Sequence, residues 1–199
     1  KDGDRCTVVR IDGTASSQGA ESIAATSLVL KRYNLKDQLH TAVHWFMRSR
    51  ARWSWCNGRL LLGADLHTPA PLACLDERHA GVLRRRSYLL TSYVPGTSLR
   101  DMVFKKLADD GQLRKLAEQF RRIWGQLGAL RIGHGDMKAS NFIVDSQGTL
   151  WMIDLDGMRV YRSSVLFRRE RRNDLATFFY NWQDHPQVAT LFRTRTGVM

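Results

Sequence analysis

The sequence predicts an α+β fold of two lobes, a small β-rich N-terminal lobe over residues 1–94 and a helical C-terminal lobe over 95–199. Three observations predict it. Short β-prone runs, TVVRI from Thr7, LVLKRY from Leu28 and SYLLTSYV from Ser87, are separated by polar turn formers. Pro95-Gly96-Thr97 then reads as a turn or hinge. Beyond it, Leu113, Leu116, Phe120, Ile123, Trp124 and Leu127 recur at helical spacing between Gln112 and Leu130.

Composition narrows the function classes. Of 199 residues, 43% are hydrophobic, which suffices for one sizeable domain or two small lobes. No uncharged apolar run approaches the ~18 residues of a membrane helix. Cys6, Cys56 and Cys74 are odd in number and widely spaced, which fits a reducing cytosol and lacks the spacing of a metal site. KDGDRC at the N-terminus does not resemble a signal peptide, and its abrupt opening beside a strand suggests a trimmed chain. The net charge of +12, from 31 basic and 19 acidic residues, attracts polyanions: nucleic acid, anionic lipid or a phosphorylated substrate. Charge alone does not choose among them. The chain carries no zinc motif, RNP motif, heptad repeat or internal repeat, so no specific nucleic acid is expected.

Taken in order, Thr7–Ile11 and Leu28–Tyr33 read as partner strands around a polar loop. Lys31 interrupts the second run; it either points to water from an edge strand or serves a site. Lys1–Thr7 would be the turn before the first strand and contains one glycine. Leu39–Leu62 has helical spacing, with Arg48, Arg50, Arg52 and Arg59 on a solvated face. The acids between Lys31 and Leu75 are Asp37 and Asp65, neither in the middle of that helix. Pro69-Ala70-Pro71 ends it, and Leu72–Leu75 reads as a strand. Arg84–Arg86 reads as a solvated turn, and Ser87–Val94 as a buried strand whose end, Ser92 to Val94, could meet a planar base edge. A short helix over Ser98–Phe104 precedes the amphipathic one.

The stretch from Ile132 to Met158 carries the chemistry. Asn-Phe-Ile-Val and Leu-Trp-Met-Ile flank Asp145-Ser146-Gln147-Gly148, a hairpin signature. Such a hairpin brings Asn141 near Asp154, with Asp136 in the loop before. Two carboxylates and a carboxamide then suit Mg²⁺, provided phosphates supply further ligands. After Met158, Arg159, Arg162, Arg168, Arg169, Arg171 and Arg172 crowd into 14 positions with one acid, Glu170. They form either a merely soluble face or an anion-binding surface. Asp174 opens the next helix as a cap or dipole partner. Gln183–Met199 carries little signal.

Asp136, Lys138 and Asn141 match the D-x-K-x-x-N core of the protein-kinase catalytic loop, with His134 two residues before the Asp and Asp154 at the distance of the second metal-binding Asp. With LVLKRYN, HTPAPLA and LLTSYVPGTSL, the stretch HGDMKASNF…MIDLDGM resembles the lipopolysaccharide core kinases, the Kdo and heptose kinases of Gram-negative bacteria. The resemblance runs from about Asp4 to Trp182. It implies a bilobal protein-kinase-like fold, shared with aminoglycoside and choline kinases, and an ATP-dependent phosphotransferase acting on a sugar hydroxyl of the inner core. The acceptor is then an anionic lipopolysaccharide sugar at the cytoplasmic face of the inner membrane, itself an anionic surface. The implied roles are Asp136 as catalytic Asp with Lys138 beside it, and Asn141, Asp154 and Asp156 as Mg²⁺ ligands. Lys31 would bind the phosphates, and the Ser92 and Val94 backbones the adenine. His134 and Asp174 would support the loop, and Arg168, Arg169, Arg171 and Arg172 would hold the acceptor or another anion. The chain departs from the pattern in its glycine-poor phosphate loop, its missing first strand and its missing helix Glu. The residues alone leave two other readings open: a protein Ser/Thr kinase, from Lys138 two residues after Asp136, and a pseudokinase or binding module.

Overall fold

The computed structural model describes residues 6–12, 27–34, 48–79 and 83–196. The first residues of the glycine-poor turn and the 39–47 part of the helical stretch expected over Leu39–Leu62 lie outside them. The chain forms two compact units, Lys1–Leu60 with Pro69–Tyr93, and Leu61–Thr68 with Val94–Met199.

In the first unit, β1 (Cys6–Ile11), β2 (Leu28–Tyr33), β3 (Pro71–His79) and β4 (Leu83–Ser92) form an antiparallel sheet in the order β1-β2-β4-β3. Lys31 lies opposite Val8 on one side and Leu89 on the other, so the three share a face. Helix α1 (Arg50–Leu62), whose last two residues belong to the second unit, turns Ala51, Ser54 and Asn57 inward at helical spacing. Ala51 packs with Tyr33 and Leu89, while the Tyr33 hydroxyl and the Ser54 hydroxyl share a hydrogen bond of 3.2 Å. No acid occurs along α1. Arg84–Arg86 are strand rather than turn, a correction to the sequence reading. They extend β4 alongside β3, where ladder bonds depend on backbone groups and not on what the side chains carry.

The second unit begins with β5 (Thr97–Ser98) and α2 (Leu99–Phe104), which Ser98 caps by accepting from the Asp101 amide at 3.1 Å. Helix α3 (Asp110–Ala129) opens on a full capping box between Asp109 and Gln112. Its stripe is buried as the spacing requires: Leu116, Phe120 and Leu127 are 2% exposed or less. Then follow β6 (Ile132–Gly133), the hairpin β7 (Phe142–Val144) and β8 (Leu150–Met152), β9 (Arg159–Val160), α4 (Ser164–Tyr180) and α5 (Pro186–Thr196). β7 also pairs with β5, and β6 with β9. Phe120 stacks on Phe178 with ring centroids 4.0 Å apart, and Phe142 and Phe192 meet it edge-on. This aromatic core lies directly beneath the motif loop, since Phe142 follows Asn141 in the chain. Residues 67 and 68 join this unit because they pair with β8: the Met152 amide donates to the His67 carbonyl, and the Thr68 hydroxyl to the Met152 carbonyl.

Candidate active site

The loop from His134 to Asn141 is built by its anchors. Asp174 does not open a helix; it lies well inside α4, buried to 2% exposure. One carboxylate oxygen accepts the His134 amide at 2.7 Å and the other the Gly135 amide at 2.9 Å. Burial pushes its pKa up to about 6, against the opposing pull of those two amides. A carboxylate thus grips the loop from behind, by the interior of a helix and not by its cap.

Two glycines lock the loop to the following turn. Gly135 has φ +79°, and a side chain there would meet the Gly157 carbonyl at 2.8 Å. A side chain on Gly157 would in turn stand 3.1 Å from the His134 carbonyl. The sequence reading passed over this close approach of two backbones, although Gly beside the motif Asp was its visible signal. His134 is fully buried and packs near Phe142. Burial lowers its pKa, so the ring is held neutral. Asp154, Asp136 and the Ile153 carbonyl are near enough to oppose that shift.

Asp136 and Lys138 form an ion pair at the surface, with Nζ 2.8 Å from one oxygen and 2.9 Å from the other. Both are partly exposed, so the pair contributes at most about 1 kcal/mol to stability and its value is positional. The Asn141 amide nitrogen donates to the Asp136 carbonyl at 2.8 Å, which leaves Oδ1 as the end available to a cation. The Ile153 amide donates to the Asn141 carbonyl at 2.9 Å. Asn141 and the residue before Asp154 are therefore hydrogen-bonded neighbours, as the hairpin reading required. Asp154 itself sits in the left-handed region, φ 63° and ψ 60°. That conformation is uncommon for a residue with a side chain and is tolerated best by Asn and Asp. Asp156 lies in the 3₁₀ turn Leu155–Gly157, where its carbonyl accepts from Arg159. Among the described residues no three His, Cys, Asp or Glu side chains cluster as a metal site. Asn141 and Asp154 offer two hard oxygen donors, which suits Mg²⁺ only with phosphate or water completing the shell.

The hairpin is held from both sides. Asp145 accepts from the Gln147 and Thr149 amides, each at 2.9 Å, and from the Trp151 indole at 2.7 Å. Gln119 of α3 donates to the Gly148 carbonyl and accepts from the Leu150 amide.

The remaining predicted residues fall elsewhere. Lys31 and Ser92 belong to the first unit and Val94 to the second. The Ser92 amide already donates to the Ala70 carbonyl at 2.9 Å, and the Tyr93 amide to Ser27 at 3.0 Å. Ser92 therefore has no backbone donor left for a base. The four arginines of α4 separate. Arg168, Arg169 and Arg172 are exposed. Arg171 turns inward: its guanidinium stacks 3.4 Å from the centroid of the Trp124 ring and donates to the Trp124 carbonyl. It is a packing residue and not part of the anion-facing set, because a planar guanidinium half-buried on an indole is removed from solvent.

Residues 13–188 match the lipopolysaccharide kinase (Kdo/WaaP) family. Similar proteins include the 3-deoxy-D-manno-octulosonic acid kinase of Xylella fastidiosa strain M23, 28% identical over 123 residues, which are 55% of this chain and 47% of that one. The same kinase from strain M12 is 26% identical over 122 residues with the same coverage. The chain therefore spans about half the length of these curated relatives, 47%. Among solved structures, the yeast RNA Pol II CTD kinase CTDK-1 complex is similar at a TM-score of 0.49 and 20% identity, over 70% of this chain and 41% of that one. With the match running through the motif loop, both hairpin strands and α4, the chain belongs to the lipopolysaccharide kinase (Kdo/WaaP) family.

Proposed function

We propose that this chain is the phosphotransferase part of an ATP-dependent kinase that phosphorylates a Kdo or heptose hydroxyl of the lipopolysaccharide inner core. The observation that carries the reading is the loop in which Asp136, Lys138 and Asn141 are fixed in one hydrogen-bonded array, one bond away from the Asp154 turn. The names of the relatives support the acceptor class.

Each residue then has a chemical task. Asp136 receives the proton of the sugar hydroxyl as its oxygen attacks the γ-phosphorus of ATP; ADP leaves with the bridging oxygen. Lys138, already against that carboxylate, keeps it oriented and faces the charge of the incoming phosphoryl group. Asn141 Oδ1 and the Asp154 carboxylate would hold Mg²⁺, with Asp156 as a nearby carboxylate. Bound Mg²⁺ supplies charge neutralisation on the phosphates. Lys31 contributes a cation to the nucleotide phosphates, and Val94 the backbone group for the adenine edge.

The test is transfer of labelled phosphate from ATP to isolated inner-core oligosaccharides by the full-length protein. Wild type should label a Kdo or heptose residue, and Asp136→Ala should lower turnover by about 10³-fold or more while melting within a few degrees of wild type. Equal ATP turnover by wild type and Asp136→Ala would sink the enzyme reading. Label on protein hydroxyls in place of sugar would transfer the same chemistry to the protein-kinase alternative.

A further inference from the structure

The first two turns of α4 hold a surface that catalysis does not use. Val165 is 66% exposed and Leu166 55% exposed, side by side at the tip of the helix. Singly exposed aliphatic residues need no explanation. These two are consecutive and ringed by cations. Arg168, Arg169 and Arg172 stand at helical spacing from Val165, and Arg162 lies just before the helix; all four are exposed. The opposite side of α4 is inward, where Asp174 and Phe178 are buried. The nearby acid does not offset the charge on this surface. Glu170 is turned inward, its side chain packed against Gly133 and close to Tyr161, whose phenol pKa is raised by burial and further by this carboxylate. Arg171, the next residue in the chain, is held on Trp124.

We infer that this helix end is a membrane-docking surface for an anionic lipid bilayer, with Val165 and Leu166 entering the boundary between headgroups and acyl chains and the surrounding arginines meeting lipid phosphates. The juxtaposition selects the partner. A layer of phosphate over hydrocarbon satisfies both kinds of side chain at once, as on an interfacial amphipathic helix. A nucleic acid would satisfy the arginines, but Val and Leu offer its bases no stacking face. A stable protein interface buries about 800 Å² on each side, for which two aliphatic side chains are a small anchor. The inference is independent of the catalytic reading, since docking needs neither nucleotide nor acceptor. Because the Asp174 carboxylate on the same helix grips the motif loop, docking here would fix the orientation of that loop to the lipid surface.

The experiment is vesicle flotation of the full-length protein with phosphatidylglycerol–phosphatidylethanolamine vesicles and, separately, with phosphatidylcholine vesicles. Wild type should float with the anionic vesicles only. Replacing Val165 and Leu166 together by Ser should weaken partition about tenfold. Replacing Arg168, Arg169 and Arg172 by Ser should weaken it about fivefold per charge at low salt and flatten the salt dependence. Val165→Lys with Leu166→Lys separates the two contributions: at high salt it should bind less than wild type if the aliphatic tip inserts. Asp136→Ala should float like wild type, so failed docking is distinguishable from failed catalysis. The inference is overturned if wild type ignores anionic vesicles, if either Ser variant floats undiminished while melting like wild type, if the Lys pair binds more tightly at high salt, or if wild type binds heparin or duplex RNA but no vesicle.

Discussion

Asp174 commits both carboxylate oxygens to amides 40 and 39 positions earlier in the chain, and this single side chain gives the clearest pH prediction. Its folded pKa is raised to about 6, mainly by burial. A raised pKa means the folded state binds the proton more tightly than the unfolded one. The stability it contributes is therefore fullest below the unfolded value and is lost as pH rises through about 6. Measured against Asp174→Asn, which cannot titrate, wild-type stability should fall by roughly 3 kcal/mol between about pH 4 and pH 6. Denaturant melts of both proteins across that range check the slope; parallel curves would contradict it. Asp154 allows a second test. Asp154→Asn preserves a residue that tolerates the left-handed backbone but removes the charge. Fold stability should change by less than about 1 kcal/mol, while Mg²⁺-dependent nucleotide affinity should fall about tenfold or more, read by titration calorimetry. Arg171 shows a third residue-scale point: its neighbours in sequence face solvent, yet it packs on Trp124.

At the scale of elements, α3 is the base on which the site is set. Phe120 stacks on Phe178 and meets Phe142, the residue after Asn141. Phe120→Ala should cost about 3–5 kcal/mol and disturb the loop above it, measurable as lost nucleotide binding at temperatures where the variant is still folded. The interlocked backbones of Gly135 and Gly157 make a sharper prediction. Gly135→Ala adds a methyl 2.8 Å from a carbonyl oxygen at a backbone angle that favours glycine. It should cost about 1–3 kcal/mol, and Gly148→Ala, with the same sign of φ and open space around it, should cost less. Thermal melts of the two variants side by side test the difference. The hairpin was legible because Asp145 and Gly148 are turn chemistry in plain sequence. Helix α5 was not: Gln183–Met199 shows little apolar periodicity, yet Phe192 is fully buried against Trp182. Val188, Ala189 and Leu191 pack on the same core, but only partly buried, so the stripe is short and weak in sequence.

At the scale of the whole molecule, charge and site belong together. The chain is +12 at neutral pH, and every group proposed to approach it is anionic: nucleotide, core sugar and lipid surface. No helix of the described residues is long and apolar enough to cross a membrane, so the lipid contact inferred here is one of surface and not of span. The proposed nucleotide site predicts ligand-linked stability. Mg²⁺ with a non-hydrolysable ATP analogue at about a hundred times its Kd should add about 2.7 kcal/mol, and EDTA should remove most of that gain. A melting curve indifferent to EDTA would leave the Mg²⁺ ligands without support.

The sequence by itself determined the fold class and the order of the motif residues, because turn formers, strand alternation and a helical stripe are local properties that survive without a partner; the family followed from the resemblance of its motif phrases. It placed Asn141 beside the Asp154 turn for the same reason: a hairpin of short reach leaves little choice. The tertiary structure alone decided which like residues part company. Whether Arg171 turns in while Arg168 and Arg169 stay out, whether Asp174 caps a helix or grips a loop, and whether Ser92 keeps a free amide all depend on groups distant in the chain. Burial and hydrogen-bond satisfaction are set by those distant neighbours, and a run of letters carries no record of them.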